Sequence, residues 1–141
     1  MHPHVTSKEL SERLKKLGVK QKSLFYWKEV IDMDNLPPTL LFRPTNKKES
    51  KGTYQGKDGK WEEHFYSAFL ASELGEMLSE CYVTERRLNG DYECSQDFVS
   101  TAQDGTFKTF PENSAVFFGK TEAEARGLML EYLLTNHLIT L

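Results

Sequence analysis

The chain holds only two cysteines, Cys81 and Cys94, and they lack the spacing of a metal knuckle, so neither a disulfide framework nor a cysteine-built zinc site organises the fold. Both are expected to be buried or idle free thiols, and neither has a neighbouring signal for thiolate activation. No apolar run approaches the roughly 20 residues that cross a bilayer, which leaves the membrane out of the expected partners. No basic, apolar, small-residue leader opens the chain either, since Met1-His2-Pro3-His4 runs into a helix-start pattern, and a cytoplasmic protein is expected. Also absent are a glycine-rich phosphate loop, a G-x-S-x-G elbow, an H-E-x-x-H pair and a C-x-x-C motif. No catalytic residue, metal ligand or cofactor is therefore assigned, and the chain reads as a non-enzyme.

What is present is an ordinary globular composition, 38% hydrophobic and 28% charged, which excludes general disorder. At 141 residues one core suffices, because folding removes roughly two-thirds of the unfolded surface from water. Residues 1–141 read as a single α+β domain with a mobile lysine-rich loop at about 43–60. The net charge of −3 hides a polarity along the chain: residues 1–60 carry +6, residues 61–97 carry −7 and residues 98–141 carry −2. Such a change of sign suggests a surface for a partner, although solvated faces also vary in sign.

Hydrophobic spacing and punctuation predict three helices on a short-stranded, mainly antiparallel sheet in the order α-β-β-α-β-β-β-α. Thr6-Ser7-Lys8-Glu9 is a capping-box pattern, Leu10, Leu14 and Leu17 form one stripe, and Gly18 stops the first helix. Residues 23–30 and 39–42 are predicted to pair as a hairpin, with Pro37 and Pro38 in the connection. Residues 61–65 read as a short strand and the second helix begins at Ser67, with Leu70, Leu74, Met77, Leu78 and Cys81 inward. Asn89-Gly90 predicts a type I′ turn with Arg86 opposite Glu93, and Asp104-Gly105 a further turn before Phe107. Thr121 caps a last helix to about Thr135, with Glu122 and Arg126 paired; its apolar second half implies a central position or a homodimer contact.

Two sets of side chains are candidates for binding. The first is the basic loop, where Arg43, Lys47, Lys48, Lys51, Lys57 and Lys60 can attract phosphates and Tyr54 and Trp61 offer faces for base stacking. The second is the acidic helix face of Glu73, Glu76 and Glu80, which could mimic phosphates in a basic groove, although such a row is also the wet side of a helix. Glu62-Glu63-His64 with Tyr66 gathers acid–base groups, but neighbours in an extended segment point to opposite faces and do not converge unaided.

The stretches 10–27 (LSERLKKLGVKQKSLFYW), 68–78 (AFLASELGEML) and 122–136 (EAEARGLMLEYLLTN) resemble those of small uncharacterised proteins carried by phages and prophages of gut Bacteroidales. They cover about a third of the chain and identify no site. Among such proteins are anti-CRISPRs that inhibit type II-A Cas9, and the length and character of the chain are similar to one of them. The resemblance implies a non-enzymatic accessory protein in the bacterial host cytoplasm that binds a host defence protein such as Cas9. A phage structural or assembly protein and a small nucleic-acid-binding module are the alternatives.

Overall fold

The structure, a computed structural model, describes residues 4–32, 36–53, 59–78, 82–96 and 115–141, and the backbone of 99–101 and 107–109. The chain divides into two compact units, Ser7–Phe69 and Met1–Thr6 with Leu70–Leu141.

In the first unit, helix α1 (Lys8–Lys16) is followed by strands β1 (Phe25–Ile31), β2 (Thr39–Phe42), β3 (Ser50–Thr53) and β4 (Lys60–Ala68). The Ser7 hydroxyl accepts the Leu10 N–H at 3.3 Å, so the cap is Ser7 rather than Thr6. At the other end Val19 N–H reaches Leu14 C=O and Gly18 N–H reaches Lys15 C=O, with Gly18 at φ +88°, which is a Schellman stop. The helix packs on β4 and fully buries Leu10 and Leu14, each contributing about 2 kcal/mol. Leu17, expected in the same stripe, is 37% exposed because it is the C-cap residue.

The sheet runs β2-β1-β4-β3, antiparallel throughout. The predicted hairpin of β1 with β2 is observed. The short strand expected at 61–65 is a nine-residue central strand that ladders to β1 through Ala68, so the second helix cannot start at Ser67 and begins at Ala71. The expected mobile loop also contains a strand, β3, hydrogen-bonded at the sheet edge. Its backbone supplies the pairing, so SKGT needs no apolar side chain to join the sheet.

In the second unit, α2 (Ala71–Met77), β5 (Tyr82–Arg86), β6 (Tyr92–Gln96), β7 (Val99–Thr101), β8 (Phe107–Thr109), β9 (Phe117–Gly119) and α3 (Glu122–Thr135) follow in order. Strands β5-β6-β9 form one antiparallel sheet, and β7 pairs with β8 as expected, with the predicted Asp104-Gly105 turn outside the described residues. Val5 makes an isolated bridge to Leu70. The Asn89-Gly90 turn is not type I′: Gly90 has φ +90° but Asn89 is not in the left-handed region, and Gly90 N–H bonds Arg87 C=O while Arg87 N–H bonds Asp91 C=O. This is a three-residue loop with a glycine bulge, which shifts the register so that Arg86 faces Tyr92 and Glu85 faces Glu93.

Thr121 caps α3 through a 3.1 Å bond from Glu124 N–H, and Glu122 pairs with Arg126 at 2.7 Å, as predicted. Arg126 also donates to Thr84 Oγ1 at 2.8 Å and to Ala71 C=O at 3.1 Å, tying α3 to β5 and α2. A Cβ on Gly119 would lie 2.7 Å from the Ala125 nitrogen, so glycine is what lets β9 approach the helix. Met129, Leu130 and Leu133 are fully buried within the single chain, which is the central position the apolar pattern allowed.

Candidate functional site

Alternation along β4 puts Glu62, His64 and Tyr66 on one face of the sheet and Glu63 on the other. The fold then adds what the sequence did not place. Glu49, just before β3, sits with its Oε1 3.6 Å from His64 Nδ1, while Glu62 Oε2 lies 3.0 Å from His64 Nε2. Lys15 of α1 pairs with Glu49, donates to Phe65 C=O at 3.1 Å and lies 5.2 Å from the centre of the Tyr66 ring. Its ammonium is the first cause of the lowered Glu49 pKa. Glu63, on the reverse face, accepts the Ser50 hydroxyl at 2.9 Å and lies 3.4 Å from Lys28.

Glu49, Ser50, Lys51, Glu62, Glu63 and His64 line an open cleft of about 400 Å³. It holds acid–base groups, but both imidazole nitrogens already face carboxylates, so neither is presented to a substrate. Tyr66 is no better placed as a base, because burial and the charges of Glu12 and Glu29 push its hydroxyl up to about 12. Cys94 is buried on β6 with its thiol pushed up to about 11, first by burial. Cys81 lies outside the described residues.

Of the acidic helix face, two members are described. Glu73 turns back to accept the Leu70 N–H at 2.9 Å, a capping bond at the start of α2, while Glu76 is exposed and Glu80 lies outside the described residues. Among the described residues no group of three or more His, Cys, Asp or Glu side chains is arranged to hold a metal ion.

The basic candidates separate into two groups. Lys51, Lys60 and Trp61 meet at the β3–β4 edge around a cleft of about 450 Å³ that also contains Glu62. There the Trp61 indole lies against Gly52, its partner in the ladder, rather than standing free as a stacking surface. Tyr54 and Lys57 lie outside the described residues.

Arg43, Lys47 and Lys48 belong to a different place, a corner built around Tyr26. The Tyr26 hydroxyl donates to Gln21 C=O at 3.0 Å and accepts from Ser23 N–H at 3.3 Å and from Lys47 Nζ at 3.0 Å. Burial pushes the Tyr26 pKa up, but hydrogen bonds from Lys47, Ser23 and Ser67, with the Lys47 charge, outweigh it and leave the hydroxyl below its ordinary value. Arg43 N–H bonds Leu24 C=O at 2.8 Å, and its guanidinium lies 5.1 Å over the Phe42 ring. These bonds bring the segment 42–48 against the segment 20–24, and with it Lys20 and Lys22, both exposed. Sequence reasoning missed these two lysines. The available signal was the lack of any acid in residues 18–28 and 36–48, which together hold six cations.

The charge polarity follows the units: Ser7–Phe69 holds thirteen Lys/Arg against nine Asp/Glu, and the other unit five against twelve. No helix among the described residues is long and apolar enough to cross a membrane. Comparison of the chain with protein-family models, curated proteins and solved structures finds no significant match.

Proposed function

We propose that this chain works by binding, as a non-enzymatic accessory protein of the phage type that its segments resemble, and that its target is a host defence nuclease such as Cas9 in the bacterial cytoplasm. The observation that carries binding over catalysis is the contrast between its reactive groups and its free cations. His64 has both ring nitrogens turned to carboxylates and Cys94 is a buried thiol, whereas Lys20, Lys22, Arg43 and Lys48 are exposed without an ion pair among the described residues.

The division of charge between the units supports the same target class. A guide-loaded nuclease offers both an anionic RNA and a positively charged channel, and a net positive unit with a net negative one can address both. The assembly-protein alternative has less support, since Met129, Leu130 and Leu133 of α3 are buried within one chain, which leaves Leu128, Tyr132 and Leu134 only half-buried for a second copy.

The test is a pull-down of the purified protein with Cas9, with and without guide RNA, alongside DNA cleavage at two salt concentrations. Retention on Cas9 with loss of cleavage is expected. No retention by either form, with cleavage untouched, contradicts this target.

A further inference from the structure

The corner around Tyr26 is built rather than accidental. The Schellman stop of α1 leads at once into a tight turn in which Lys22 N–H bonds Lys20 C=O at 2.9 Å. Gln21, at the centre of that turn, is held from three sides: its Nε2 donates to Val19 C=O at 2.9 Å, its Oε1 accepts Ser67 N–H at 2.8 Å, and its own C=O accepts the Tyr26 hydroxyl. The two lysines beside it are thereby fixed at the backbone while their side chains stay in solvent. Across the corner, Lys47 is pinned with its ammonium 4.3 Å from the centre of the Tyr26 ring, and Arg43 takes a left-handed φ of +46° beside the β2 terminus. Phe42, last residue of β2, is 59% exposed, and Leu24 beside it is 39% exposed.

We infer that this corner binds a single-stranded nucleic acid, with Lys20, Lys22, Arg43, Lys47 and Lys48 on the phosphates and a base on the face of the Phe42 ring that the Arg43 guanidinium covers in the free protein, the Phe25 ring lying 5.2 Å away as its neighbour. The inference rests on the binding reading above and names the chemistry of one partner surface. Charge complementarity is its basis, because neither segment of the corner carries an acid. An exposed aromatic ring with cations around it is what a strand with unstacked bases requires, whereas an acidic protein surface would have no use for that ring. Of the two stacking residues expected from sequence, Trp61 lies against Gly52 and Tyr54 is outside the described residues, and Phe42 takes the stacking role here.

The experiment is fluorescence anisotropy of a labelled twelve-nucleotide oligo(U) RNA with the full chain, from low to physiological salt. Five phosphate contacts predict a slope of log K against log salt of about −3.5. The pair Lys20→Glu and Lys22→Glu should weaken binding at least about tenfold and flatten that slope. Phe42→Ala should weaken it about tenfold with the slope unchanged. Lys120→Glu, in the other unit and paired with Asp91, should leave binding as it was. Circular dichroism of each variant checks that it is folded. Unchanged affinity in the lysine pair overturns the proposal. So does a Phe42→Ala variant that binds as tightly as the parent, or equal competition by a poly-glutamate peptide, which would make the corner a site for acidic protein. Loss of RNA binding with Cas9 inhibition intact would separate failure of this corner from failure of the target proposed above.

Discussion

Gly52 and Trp61 are partners in the β3–β4 ladder, and the indole occupies the space a side chain at position 52 would need: a Cβ there would lie 2.8 Å from Trp61 Cζ2 and 2.9 Å from Cε2. Gly52→Val should therefore displace the indole and loosen the edge strand, at a cost of about 1–2 kcal/mol. Amide exchange at Lys51 and Thr53 should quicken with it. Unchanged exchange and an unchanged melting temperature would mean that the indole does not lie on Gly52.

The C-terminal stop of α3 uses a residue poorly suited to it. Leu138 N–H reaches Leu133 C=O at 2.8 Å and His137 N–H reaches Leu134 C=O at 3.2 Å, with His137 at φ +54°. His137→Gly should remove that strain and raise stability by about 1 kcal/mol, net of the entropy glycine adds to the unfolded chain. Denaturant titration measures it, and a destabilised variant would show that the imidazole contributes more than the backbone loses.

Lys8 lies between Glu29 at 2.7 Å and Glu12 at 3.2 Å. The hydrogen bond to Glu29 leads the causes that raise its pKa from 10.5 to about 12. A raised folded pKa means that the stabilisation is complete below the unfolded value and is lost as pH climbs through the folded one. The stability advantage of the parent over Lys8→Met should be constant to about pH 10 and shrink between 10.5 and 12. A pH-independent difference would contradict the assignment. Glu49 behaves in the opposite sense: its lowered pKa, caused first by Lys15, gives stability present above the ordinary carboxylate value of 4.5 and lost as pH falls below it.

Cys94 is buried and its thiol is pushed up to about 11. In a Cys81→Ser background it should resist a thiol reagent at pH 8 in the native protein and react at once in denaturant. Fast reaction of the native form would place Cys94 at the surface.

Much of the fold was legible because it depends on local chemistry. The Gly18 stop, the Thr121 cap, the Glu122–Arg126 pair and the β1–β2 hairpin each follow from residues close in sequence. What was not legible depends on pairing between distant segments. Strand β3 joins the sheet through backbone bonds that leave no apolar signature, and one extra loop residue with αL geometry at Gly90 moved Glu85, not Arg86, opposite Glu93. The same limit applies to the candidate sites. Glu49 meets His64 only through the β3–β4 register, and Lys20 and Lys22 join Arg43 and Lys47 only because Tyr26 and Leu24 bind both segments. Glu73, read as a surface carboxylate, is consumed by a capping bond whose acceptor role appears once α2 is known to start at Ala71.

The most direct test of a binding rather than catalytic role is titration of the protein into a fixed amount of guide-loaded Cas9, with residual DNA cleavage followed over several incubation times. Inhibition that ends at a fixed molar ratio and does not grow with time is the predicted result. Loss of activity at a small fraction of one equivalent, increasing with incubation, would mean turnover and contradict the account, as would cleavage that survives a large excess.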